Sequence, residues 1–247
     1  GRAPASLGAD EQVEGLRAQL AFQGDGQRMH LDGFAGDART DILVLTGDLP
    51  LQLGREGARL GGSGPLNATV TLAPVNVVTL RELLAGRELP DARVSAEITV
   101  SGTTDAPVLR LVSSADLPLN AEGPTARVWL DGGLDDGVLT ARLVLNQEFQ
   151  ARMETVAATR IDIQALRRWA SGEGAPPTPK ALFSDFGGAI LLKQLPIATI
   201  RRFVPFRGDV DGALAGAFAL SGSPLAPRLQ GGINVMNARA GQLRVEP

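Results

Sequence analysis

Alternation with a period of two governs this chain. From Arg93 to Val100 the residues Val94, Ala96, Ile98 and Val100 fall on one side, and Arg93, Ser95, Glu97 and Thr99 on the other. Successive side chains of a strand face opposite ways, so this is a strand with one dry and one wet face. The pattern returns at Leu139, Ala141, Leu143 and Leu145, and again at Leu214, Gly216, Phe218 and Leu220. In the last case the opposite face is all alanine: Ala213, Ala215, Ala217 and Ala219. Ala68, Val70 and Leu72 alternate with Thr69 and Thr71.

Turn chemistry separates these runs. Gly24-Asp25-Gly26, Asp131-Gly132-Gly133, Asp135-Asp136-Gly137 and Gly231-Gly232 carry the residues that supply positive φ, and each is expected to be a turn. Short strands with tight turns predict an all-β antiparallel meander, since the long helices of parallel crossovers are missing. Three short helices are predicted in the loops: Thr79 to Ala85, Gln164 to Ala170 and Thr199 to Val204. They would bury Leu80, Leu83 and Leu84, then Leu166, Trp169 and Ala170, then Ile200, Phe203 and Val204. Residues 171–180, rich in Gly and Pro, read as a flexible loop.

Composition narrows the chemistry. Of 247 residues, none is Cys and one is His, so disulfide scaffolds, Cys-based zinc sites and multi-His metal sites are excluded. A formal net charge of −3 and 4% aromatics argue against a nucleic-acid module. His30 belongs on a wet face, and no G-x-S-x-G elbow exists to build a triad around it. Asp131, Asp135 and Asp136 fit no calcium loop, and Gly62-Ser63-Gly64 lacks the third Gly of a dinucleotide loop. The reading is a non-enzyme without cofactor or metal. The chain opens Gly1-Arg2-Ala3-Pro4, with no signal region and no membrane-spanning run, and reads as a piece of a longer polypeptide.

Internal repetition is the richest signal. Residues 77–109 align without gaps on 197–229, with nine identities in 33 positions, among them Thr79/Thr199, Arg81/Arg201, Asp91/Asp211, Ser101/Ser221, Gly102/Gly222 and Pro107/Pro227. The approximate repeats are 72–120 and 192–240 within one elongated domain spanning 1–247. Asp48-Leu-Pro-Leu51 also recurs as Asp116-Leu-Pro-Leu119.

The segment 208–237, GDVDGALAGAFALSGSPLAPRLQGGINVMN, resembles the strand–Ser-Gly–x–Pro–strand repeat of the TamB family, the translocation and assembly module subunits related to AsmA-like proteins. VSAEITVSGTTDAPVLRLVSS at 94–114 is similar in the same way. The resemblance covers 72–114 and 195–240. It implies a repetitive antiparallel meander curled into an open apolar groove, β-taco-like, with a few short loop helices. It also implies a periplasmic segment of an inner-membrane-anchored protein of a Gram-negative bacterium, carrying phospholipid acyl chains between membranes. The alternative it brings is a scaffold for outer-membrane protein (autotransporter) assembly, acting by β-strand augmentation beside an outer-membrane barrel partner. Membrane contact would come through parts outside this segment.

On these expectations the groove is lined by Val94, Ala96, Ile98, Val100, Leu139, Leu143, Leu145, Leu214, Phe218 and Leu220. Aliphatic walls with few aromatics suit flexible hydrocarbon. Arg167, Arg168, Arg201 and Arg202 are candidates for headgroup phosphate, and Phe203, Pro205 and Phe206 for a plug. The same apolar residues could instead fill a closed β-sandwich.

Overall fold

The computed structural model describes residues 9–13, 16–24, 28–36, 40–54, 57–60, 64–78, 92–118, 125–170, 175–201, 210–240 and 243–244. Its strands are β1 (Ala9–Val13), β2 (Leu16–Gly24), β3 (Met29–Gly36), β4 (Asp41–Leu49), β5 (Leu51–Gly54), β6 (Gly57–Leu60), β7 (Asn67–Asn76) and β8 (Arg93–Gly102). They continue as β9 (Pro107–Pro118), β10 (Thr125–Asp135), β11 (Val138–Gln147), β12 (Gln150–Ile161), β13 (Phe183–Pro196), β14 (Val210–Ser223), β15 (Ala226–Ala240) and β16 (Leu243–Arg244). The helices wholly within the described residues are α1 (Ile163–Ala170), α2 (Pro179–Leu182) and α3 (Ile197–Ile200).

Among the described residues, fourteen strands form one sheet in chain order, with only the β5–β6 hairpin set apart. The pairings are antiparallel, and β1 and β16 stand at opposite edges without meeting. The predicted all-β antiparallel meander with a few short helices is therefore the observed architecture, and its sheet is not closed. Its connections divide between two rims. One rim holds the β8–β9, β10–β11 and β14–β15 turns with α1 and α2. The other holds the β11–β12 turn and α3.

The same register returns 120 residues along the chain. Val70 pairs Ile98 and Val75 pairs Val94; Ile190 pairs Phe218 and Leu195 pairs Leu214. Each strand pair carries a bulge between these positions, at Leu72/Val75 and at Leu192/Leu195. Pro74 occupies the first bulge, where its missing N–H costs no ladder bond. Gln194 occupies the second at φ 52°. The turns that follow also match: Gly102 and Gly222 sit at φ 87° and 96°, and the hydroxyls of Thr103 and Ser223 accept from the N–H of Ala106 and Ala226.

Two of the four expected turns are corrected. Asp131-Gly132-Gly133 lies inside β10 and Gly231-Gly232 inside β15. The β10–β11 turn falls instead on Asp136-Gly137, both at positive φ, the pair a two-residue hairpin requires. Asp25 and Gly26 lie outside the described residues. Gly188 and Gly231 serve close approach rather than reversal. A Cβ built on Gly188 would lie 2.1 Å from the Val156 carbonyl oxygen, and one on Gly231 would lie 2.1 Å from that of Ala217. The backbone is drawn too tight there for any side chain.

The helices differ from expectation in detail. α1 starts at Ile163, with the Asp162 carboxylate accepting from the Ala165 N–H at 2.9 Å. Trp169, expected to be buried, is 50% exposed, because the helix stands on the rim and is tied down by an Arg167–Asp105 ion pair. α3 begins at Ile197, two residues before the expected start, immediately after Pro196. Residues 79–91 and 202–209, which hold the first predicted helix and Phe203, Val204, Pro205 and Phe206, lie outside the described residues.

One small core gathers under α3. Ala126, Leu145 and Leu195 are buried there, with Leu117, Val128, Met153, Leu192 and Ile200 packed around them. The Thr199 hydroxyl, 2% exposed as a residue, donates to the Gln147 side-chain carbonyl at 2.8 Å. This bond pins α3 to the sheet and satisfies the polar atoms buried with it.

Replacing Gly188 with Val is expected to lower stability by about 2–3 kcal/mol, the scale of overpacking against backbone that cannot retreat. Urea unfolding measures this. An unchanged midpoint would mean the strands are not held so close.

Candidate functional site

Cross-strand partners share a face, so the register places every strand side chain on one of two surfaces. On the first, Leu45 pairs Val70, Val70 pairs Ile98, Ile98 pairs Leu111, and Leu111 pairs Gly132. The series continues through Ala141, Ala157, Gly188, Leu220 and Leu229. No charged residue interrupts it. The neighbouring series, from Leu43 through Leu72, Ala96, Ser113, Leu130, Leu143, Thr155 and Ile190 to Phe218, is also uncharged.

Among the described residues, little covers this surface. Nine of the ten predicted groove residues are half-buried: Val94, Ala96, Ile98, Val100, Leu139, Leu143, Leu214, Phe218 and Leu220. Leu145 is 5% exposed in the core under α3, so it is a packing residue. A second layer would bury most of them. Toward the last long strand exposure rises, with Ile233 at 48% and Leu229 at 59%. At the centre, Gly132, Ala141, Ala157 and Gly188 lie side by side on four strands and span about 14 Å. Leu130, Leu143 and Ile190 stand in the next series on one side, with Leu134 and Leu139 on the other.

The second surface carries the ionic chemistry. Arg127 and Asp116 are cross-strand partners joined by two hydrogen bonds. Arg142 donates to Glu154 at 2.9 Å, and Lys193 lies 3.5 Å from the same carboxylate. The Arg142 hydrogen bond, with its charge, holds the Glu154 carboxyl below the ordinary range. His30 lies on this wet surface as expected, with Nδ1 2.9 Å from Asp48 and Nε2 2.9 Å from Asp32. The recurring Asp-Leu-Pro-Leu segments have one structural meaning: Asp48 and Asp116 each stand at a strand end directly opposite His30 or Arg127. These exposed pairs mark the solvent side more than they stabilise the fold.

The predicted phosphate-binding arginines are dispersed. Arg167 is engaged by Asp105, and Arg168 follows it on the exposed side of α1. Arg201 ends α3 and donates to the Val210 carbonyl. Arg202 lies outside the described residues. Sequence reasoning missed Arg152, which a bulge in β12 redirects, and Phe149 at the β11–β12 turn. Neither carries a local signal: Glu148-Phe149 has none of the Gly, Asn or Asp that announces a hairpin.

Two hollows lie away from the apolar surface. One of about 410 Å³ sits over Gly133 on the charged side, bordered by Val108, Arg110, Asp131, Arg142 and Val156. The other, about 530 Å³, lies on the α1 rim beside Asp105, Asp136, Arg160 and Asp162. No helix among the described residues is long and apolar enough to cross a membrane. Compared with known proteins, the chain matches no family model, no curated protein and no solved structure.

Hydrogen bonds to Asp48 and then Asp32, reinforced by their charges, raise the His30 pKa above its ordinary 6.5. The stability this contributes is complete below that value and is lost as pH rises through the folded pKa. As the only His, its ring protons can be followed directly by NMR. They are expected to titrate above pH 6.5, and His30→Gln is expected to flatten the melting temperature over the same pH window. Titration at or below the ordinary value would contradict the clamp.

Proposed function

We propose that this chain is a segment of a TamB/AsmA-like conduit. Its uncharged surface shelters phospholipid acyl chains and lets them pass along the sheet, without a chemical step. The observation that carries this reading is one apolar surface, unbroken by charge from β4 to β15 and only half-buried. An uncovered apolar area of this extent marks a binding surface. Bulges in β7, β12, β13 and β15, with the tight approaches at Gly188 and Gly231, bend the strands and favour curling into a trough. The series Gly132, Ala141, Ala157 and Gly188 then forms its floor, with the taller leucines as walls.

Magnitudes favour such a device. Each buried methylene is worth about 0.8 kcal/mol, so a 16-carbon tail gains roughly 13 kcal/mol when wholly sheltered. A tail crossing water alone forfeits that. A continuous strip keeps it dry while the headgroup stays in solvent. Burial has no direction, so broad lipid tolerance follows. In this reading the segment works in the periplasm between inner and outer membrane, beside an outer-membrane barrel partner.

The second reading, assembly of client strands by augmentation, has one observation in its favour. Among the described residues, the side of β15 away from β14 is paired only at Arg239 and Ala240. Such a strand edge accepts another strand.

Mass spectrometry of the purified protein separates the two. The conduit requires co-purifying phospholipid; lipid-free protein that captures strand peptides supports the scaffold. Ile98→Asp and Phe218→Asp test the surface itself. Each is expected to leave the circular dichroism melt within a few degrees of the parent and to abolish labelling by a photoactivatable lipid. Unfolding would instead indicate a closed core, where a lone carboxylate costs several kcal/mol.

A further inference from the structure

The β11–β12 turn carries two features that the fold does not use. Phe149 stands at its tip, 107% exposed, at φ 62°, next to Glu148 at φ 51°. The Phe149 ring lies in solvent, on a backbone conformation that bulky residues rarely adopt. Three residues on, Arg152 is the extra residue of the β12 bulge, between Ala151 (paired with Asn146) and Met153 (paired with Leu145). Its side chain is only 15% exposed, and among the described residues its Nε is buried without a partner and its one carboxylate neighbour, Glu148, lies 3.8 Å from Nη2. A guanidinium keeps its charge under such conditions. A sheltered cation so loosely matched favours an oxyanion that can bind its planar fork. Met153 beside it packs into the core at the end of the apolar surface.

We infer that this hairpin tip is a phospholipid headgroup contact, in which Arg152 holds the phosphate and Phe149 enters the membrane interface. An amphipathic tip of this kind places a ring at headgroup level with a cation behind it. The assignment rests on the conduit reading and adds to it a membrane contact within this segment, beside those the resemblance places elsewhere in the protein. Glu148 competes for the same guanidinium and weakens the contact.

The test uses the full chain and vesicles of phosphatidylglycerol and phosphatidylethanolamine, followed by co-sedimentation. Arg152→Gln is expected to weaken binding about tenfold, the loss of one charge-assisted contact. Phe149→Gly is expected to weaken binding while leaving the melting temperature equal or higher, since Gly accepts positive φ. Glu148→Gln is expected to strengthen binding. Absence of vesicle binding by the parent, or equal binding by all variants, overturns the inference. If Arg152→Gln fails to fold, unchanged binding by the other two variants overturns it. Inorganic phosphate that perturbs Arg152 while vesicles go unbound shows a free-anion site and also overturns it. Uptake of a soluble fluorescent fatty acid, measured in parallel, separates the two levels. Intact uptake with no vesicle contact removes only the headgroup assignment, whereas no uptake by the parent removes the conduit reading.

Discussion

Backbone register is the constraint from which the rest follows. Directly opposed residues in an antiparallel ladder share a face, so each strand's alternation must stay in phase with the next. A slip of one residue would carry Ile98 and Val100 to the charged side and bring Glu97 and Thr99 among the leucines. The sheet keeps phase through single-residue bulges. Across the bulge in β7 the apolar series steps from Leu72 to Val75, and Val75 still faces Val94. The bulges in β12, β13 and β15 work likewise, and the left-handed backbone of Asp185, Gln194 and Asn237 stands at those of β13 and β15.

Holding phase over so many strands leaves one surface without charge from β4 to β15 and the other laced with ion pairs. A small domain normally closes such a surface against another layer, because the hydrophobic term is its main source of stability. Here, among the described residues, closure is local. α3 folds over one end, where Ala126, Leu145 and Leu195 are buried and Thr199 meets Gln147. Elsewhere the strands rely on ladder hydrogen bonds and on lateral contact within the surface. On the conduit proposal, this division supplies a fixed end and an accessible middle.

The sequence disclosed the strands, their faces and the 120-residue correspondence, because alternation is a direct consequence of strand geometry. It misplaced what depends on tertiary approach. Gly132-Gly133 and Gly231-Gly232 look like turns, since glycine serves positive φ and close packing equally well, and only the neighbouring strand decides which. Trp169 looked like a core residue by helical spacing, but the Arg167–Asp105 pair holds α1 on the rim with the indole outward. The predicted arginines stand in adjacent pairs. Arg152 has no such neighbour, and its position follows from a bulge that alternation does not announce.

Methyl NMR offers the most direct test, because alanines lie on both surfaces. With a nitroxide-labelled fatty acid added, Ala96, Ala141 and Ala157 should broaden strongly, while Ala158, Ala189 and Ala219, on the charged side of the same strands or their neighbours, should stay sharp. Equal broadening of both sets, or none in either, would contradict the account.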